Sequence, residues 1–243
     1  MILTRRLPPA GARWRAAAVA ALIAVGAAGI GLWLLTGAAG QLSRHHVVVD
    51  GVPLTEVHPA GVPAGGRRPG VVVAHGFAGS ARLMAQFGDT LAARGYPVVL
   101  LDFAGHGAST HRLPDATAST DASAAVLQHD LDTAMIHLRG LPDVDPGRVA
   151  VVGHSMGATV ATRYALAHPE VRATVALSLP DSAHLPRDRP GRLLLLVGAF
   201  EVPGMRATVD QAMRDAGPGR EALVVPGVEH ITILYSPRAH REV

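Results

Sequence analysis

The stretch GHSMG (residues 153–157) follows the apolar run RVAVV and sets one serine between two glycines. A serine hydroxyl becomes a useful nucleophile only when a nearby base takes its proton. A strand that turns at once into a helix lifts its junction residue clear of the sheet, in a strained backbone conformation. Such a turn leaves no room for side chains on either flank, which is the reason for Gly153 and Gly157. The free N–H groups at the start of the next helix favour negative charge beside Ser155. The chain holds 13 histidines, so position must choose among them. His230, in PGVEHITIL, follows the last apolar strand candidate and is expected to be the base. His154 adjoins the serine and is expected to point away, while His75 and His106 shape loops. A carboxylate should orient the imidazole from a strand end between serine and histidine. Glu201 in GAFE has the better position, and Asp181 in SLPDS is the alternative. Glu229 reads as a solvated loop charge. Two backbone N–H groups should face the oxyanion, from Met156 and from Phe77 in HGFAGS. Gly76 lets that second loop approach closely. Together these residues would form and hydrolyse an acyl-enzyme with no metal and no organic cofactor.

These side chains need a scaffold that brings distant segments to one edge. HHVVVDG and PLTEVH predict a hairpin around Asp50–Gly51. Strand patterns then fall at 71–76, 97–103, 148–153, 171–179, 192–198 and 221–227. Helical patterns fall between them at 81–94, 123–139, 156–167 and 204–216. This alternation predicts an α/β protein with a parallel sheet covered on both faces. The strands are almost continuously apolar, as double burial requires. Ligands of such sheets sit at the carboxyl ends of the strands, and every candidate above follows a strand.

The charge pattern excludes some classes. All 22 basic residues are arginines, the formal charge is +3 and aromatic residues make up 4%. The arginines are scattered and not interleaved with aromatics, so no nucleic-acid partner is expected. There is no cysteine, which removes thiol nucleophiles and thiolate metal sites. Residues 16–40 carry no charge and follow Arg5, Arg6, Arg13 and Arg15. A helix of that length is long enough to cross a bilayer. The arginines would keep residues 1–15 cytoplasmic and place a domain from about residue 45 to 243 outside. A cleaved signal sequence is the alternative to an anchor, and favours secretion.

HGFAGS (75–80), DFAGHGAS (102–109), GHSMG (153–157), GAFE (198–201) and GVEH (227–230) stand in an order and spacing that resembles the α/β-hydrolase superfamily, in its serine esterase and lipase-like members. The resemblance covers roughly residues 45–240. It implies the α/β-hydrolase fold, with a mostly parallel eight-stranded sheet and helices on both faces. It also implies a triad of Ser155, Glu201 and His230, with Phe77 and Met156 as oxyanion donors. About a dozen residues separate the strands at 171–179 and 192–198, so no cap is expected. The family's last helix would begin at SPRAHREV (236–243) and is expected to be truncated. Carboxylic esters or thioesters are the expected small-molecule substrates, with the membrane a partner through residues 16–40. The competing classes are a non-catalytic binding protein of the same fold at the membrane surface, and an acyltransferase or peptidase.

Overall fold

A computed structural model describes residues 18–29, 42–59, 66–115, 120–214 and 216–243. The chain divides into two units, Met1–Gln41 and Leu42–Val243. In the first, a helix (α1) covers residues 18–29 and exposes Val19, Leu22, Ile23 and Val25. The rest of the apolar segment at 16–40 lies outside the described residues. Among the described residues, no helix is long and apolar enough to cross a membrane.

The second unit is built on eight strands: β1 (Leu42–Val49), β2 (Val52–Pro59), β3 (Arg68–Ala74), β4 (Val98–Leu101), β5 (Val144–His154), β6 (Ala173–Leu177), β7 (Leu193–Gly198) and β8 (Arg220–Val225). Their order across the sheet is β1-β2-β4-β3-β5-β6-β7-β8. The pairs β1–β2 and β2–β4 are antiparallel, and all pairs from β3–β4 to β7–β8 are parallel. The hairpin turns at Asp50 and Gly51, both with positive φ. The chain leaves β3 for β4 on one side and returns to β5 on the other. The loops after β3 and β5 therefore diverge and open a crevice at the carboxyl edge.

Alternation along the strands sorts the core into layers. Val72, Ala74, Val149 and Val151 face α3 (Asp121–Gly140) and α4 (Met156–Ala167), which supply Leu127, Leu131, Met135, Val160 and Tyr164. Val71, Val73, Val98 and Leu100 face the opposite side. There α2 (Ala85–Ala93) packs Phe87 and Leu91, and α6 (Pro237–Glu242) packs Ala239. The segment expected to open the family's last helix thus forms α6. α5 (Pro203–Arg214) covers β7 through Val209 and Ala212. Helices cover both faces, as predicted.

α4 lies unusually close to the strands beneath it. A Cβ at Gly157 would stand 2.5 Å from the His75 carbonyl oxygen and 2.6 Å from that of Ala74, and one at Gly153 would drive into the Gly157 carbonyl. Glycine is required at both positions by this approach of backbones. We expect Gly157→Ala to cost about 1–3 kcal/mol by overpacking and to lower the melting temperature by roughly 4–10 °C. Gly191→Ala, where nothing lies within 4 Å, is the control in thermal melts followed by circular dichroism.

A second interaction ties the hairpin to α3. His58 Nδ1 is 2.9 Å from Asp143 Oδ2 and its Nε2 is 3.2 Å from Glu56 Oε2, while His137 Nε2 reaches Glu56 Oε1 at 2.7 Å. Burial disfavours the charged His58 ring, but hydrogen bonds to Asp143 and Glu56 outweigh it and raise its pKa. A raised pKa stabilises the fold fully below the unfolded value, and that stability is lost as pH rises through the folded value. The melting-temperature gap between the natural protein and His58→Ala should therefore be larger near about pH 5.5 than near about pH 8.5.

Candidate active site

Ser155 occupies the junction of β5 and α4 with φ 52° and ψ −117°. A non-glycine residue in that region stores about 1–3 kcal/mol. Its surroundings hold it there. The Ser155 N–H donates to the Leu177 carbonyl at 2.9 Å, and its own carbonyl accepts from Ala158 N at 2.9 Å. Ser155 is 9% exposed, enough for its hydroxyl to face the crevice.

His230 arrives from the loop after β8. Its Nε2 lies 3.1 Å from Ser155 Oγ and its Nδ1 lies 3.1 Å from Glu201 Oε1. With Nδ1–H donating to the carboxylate, Nε2 is free to accept the serine proton. Glu201 follows β7, as expected, and its side chain has no solvent exposure. Its second oxygen, Oε2, accepts a hydrogen bond from Ser178 Oγ at 2.6 Å. The longer glutamate side chain is thus anchored at both oxygens. Asp181, the alternative acid, turns instead to accept from Ala183 N in an exposed turn. Glu229 accepts from the backbone N–H groups of Ile231 and Thr232, which lower its pKa, and it stays a solvent-facing loop charge.

Met156 is the first residue of α4, so its N–H is one of those that a helix leaves without an internal partner. Phe77 sits in a turn closed by Gly79 N donating to the Gly76 carbonyl at 3.0 Å. A Cβ at Gly76 would stand 2.8 Å from His154 Nδ1 and 3.1 Å from Ser155 Cβ. Glycine there lets the β3 loop lie against the serine. Ser155, Met156 and Phe77 together border a cavity of about 380 Å³.

Two buried histidines hold this arrangement from beneath. His154 turns away from the crevice, and its Nε2–H donates to the His230 carbonyl at 2.9 Å, so it braces the loop that carries the base. Burial, followed by the nearby His230 ring, pushes its pKa down to about 4. His75 Nδ1–H donates to the Gly76 carbonyl at 2.7 Å, and its Nε2 accepts from Phe103 N at 3.1 Å. Burial pushes it also to about 4. His106 packs against His75 and Phe77 and bonds the Ala104 carbonyl. His75 and His106 shape loops, as the sequence suggested. Asp102 ties the same loops together, accepting from Ala81 N at 2.6 Å and Ala108 N at 3.0 Å.

Sequence reasoning missed Ser178 and the bracing role of His154. Ser178 adopts a positive φ at the end of β6, and its place after an apolar strand was the available signal. The cavity walls contributed by Gln128, Thr159 and Arg163 were also missed, because they depend on how α3 packs on α4.

A family model described as alpha/beta hydrolase fold matches residues 69–209. An uncharacterized protein of Mycobacterium tuberculosis is 35% identical over 176 residues, which is 72% of this chain and 51% of that protein. Epoxide hydrolase A of the same organism is 34% identical over 174 residues, 68% of this chain and 50% of that enzyme. The chain spans about half the length of these relatives. A structure described as a putative dienelactone hydrolase from Klebsiella pneumoniae superposes with a TM-score of 0.64 at 19% identity, over 83% of this chain and 94% of its own. The shared fold explains why strand ends so far apart in sequence converge on one crevice: the chain belongs to the alpha/beta hydrolase fold family.

Proposed function

We propose that this chain is a serine hydrolase that cleaves carboxylic ester or thioester bonds through an acyl-enzyme on Ser155. The observation that carries this is the His230 imidazole bridging Ser155 Oγ and Glu201 Oε1 at 3.1 Å each. Ser155 Oγ attacks the carbonyl while His230 Nε2 takes its proton. The oxyanion that develops faces the N–H groups of Met156 and Phe77. The tetrahedral intermediate collapses, the C–O or C–S bond to the leaving group breaks, and His230 delivers the proton to it. Water then repeats the sequence on the acyl-enzyme, releasing the acid and restoring Ser155.

The likeness to an epoxide hydrolase favours a second reaction, opening of an epoxide. Chemistry separates the two. Attack by a serine oxygen on an epoxide carbon would form an ether, which water does not cleave under the conditions that hydrolyse an acyl ester. Ser155 would then be alkylated once and never regenerated. An ester substrate restores it every cycle.

The uncharged segment behind four arginines supports a further part of the proposal. Residues 16–40 tether the unit to a membrane, with residues 1–15 on the cytoplasmic side and the hydrolase outside.

Turnover of short p-nitrophenyl esters tests the proposal. Ser155→Ala and His230→Ala should each lower kcat by at least about 10³-fold, and Glu201→Gln by about 10²- to 10⁴-fold. All three variants should keep the circular dichroism spectrum of the natural protein. Undiminished turnover in Ser155→Ala would overturn the proposal. Turnover of an epoxide such as styrene oxide, with the esters untouched, would favour the second reaction.

A further inference from the structure

The cavity beside Ser155 is bordered by an exposed cation that no ion pair among the described residues neutralises. Arg163 lines it and takes part in no ion pair or hydrogen bond among the described residues. Ser155, Thr159 and Arg163 stand four residues apart and so share one face of α4. Eight residues place Arg163 about 12 Å along the helix axis from the serine. Long helical side chains lean toward the N-terminus, which brings the guanidinium back toward the nucleophile. Its charge is felt nearby: burial first, and then Arg163, hold the His184 pKa below its ordinary value against the raising effect of Asp181.

Of the carboxylates near this cavity, Asp181 follows the lining residue Pro180 and accepts from Ala183 N in an exposed turn, while Asp121 and Asp132 stand apart from Arg163 or are engaged. Two bonds fix the register of α3 and α4. Gln128 Nε2–H donates to the Val160 carbonyl at 2.9 Å, and the Tyr164 hydroxyl donates to Asp132 Oδ1 at 3.1 Å, both pairs 32 residues apart. In this register Asp121, which also lines the cavity, stands level with Gly153 at the serine end. That is about ten residues, or roughly 15 Å, from the level of Arg163. Asp121 lies in the first turn of α3, where the positive end of the helix compensates it. Asp132 is occupied by Tyr164. Between the two ends the walls combine apolar Met156, Ala124, Leu127 and Val160 with the polar Thr159 and Gln128.

The chemistry fixes which part of a substrate enters. His230 must protonate the leaving group, so the leaving group departs on the imidazole side. The cavity is bordered by Ser155, Met156 and Phe77 but by no residue of the loop that carries His230. It therefore receives the acyl group. We infer that it is an acyl pocket for chains ending in a carboxylate, that is, for monoesters of short dicarboxylic acids, with Arg163 as the specificity-determining residue. This rests on the ester-hydrolase reaction proposed above. The distance from Ser155, shortened by the lean of the arginine, suits an acyl chain of roughly four to six carbons. Arg163 contacts only the distal carboxylate, and the bonds made and broken remain those at Ser155.

The experiment compares kcat/KM for the mono-p-nitrophenyl ester of glutaric acid with that for p-nitrophenyl pentanoate, a neutral chain of equal length. The natural protein should prefer the anionic ester by about tenfold, as a charge-assisted bond allows, chiefly through KM. Arg163→Ala should abolish the preference, Arg163→Lys should restore part of it and Arg163→Glu should reverse it. Raising the salt concentration should shrink it. Ser155-dependent hydrolysis of both esters with no preference, or a preference that survives Arg163→Ala, would overturn this inference while leaving the ester-hydrolase proposal standing. Hydrolysis of neither ester would overturn both.

Discussion

The active crevice depends on one backbone conformation, the positive φ of Ser155 between β5 and α4. An L-residue resists that conformation, so the surrounding packing must impose it. The bond from Ser155 N to the Leu177 carbonyl fixes the approach from β6. The absence of side chains at Gly153 and Gly157 lets α4 start directly over the ends of β3 and β5. Relaxing either constraint would allow the serine to fall back toward the sheet, and its hydroxyl would leave the reach of His230. Strain at one residue is thus maintained by three strands and a helix.

Charge is arranged around that point with economy. His230 must become cationic during the proposed reaction, and a second cation close by would oppose it. His154 has its ring centroid 4.7 Å from that of His230, yet burial keeps it neutral, with a pKa of about 4. It can therefore support the His230 backbone without competing for positive charge. His75 does the same for the loop that carries Phe77. The buried Glu201 carboxylate supplies the compensating charge. The Ser178 hydroxyl holds its outer oxygen, which fixes the rotamer of a side chain longer by one methylene than aspartate.

Much of this could be read in the sequence. The strand runs were legible because double burial makes them almost continuously apolar, as in VVVA at 71–74 and LLLLVG at 193–198. The strand-to-helix turn was legible because glycines flank the serine. His230 and Glu201 were legible because parallel strands carry their ends to one edge. What stayed hidden depends on contacts between elements. Nothing local in LSLP marks Ser178 as the partner of a carboxylate 23 residues away. The sequence gives His154 no visible use, because its partner is a carbonyl 76 residues later. Arg163 is an exposed helical arginine, and its place on the cavity wall emerges only when α3 and α4 are set in register.

The proposed reaction depends on one mechanical link, the transfer of the serine proton to His230. Reaction with a fluorophosphonate probe, followed by mass spectrometry of the tryptic peptide spanning residues 149–163, measures it directly. The expected result is a single phosphonyl adduct on Ser155, formed quickly in the natural protein and at least about 10³-fold more slowly in folded His230→Ala. No adduct on Ser155 in the folded protein, or an adduct that forms equally fast without the imidazole, would contradict the account.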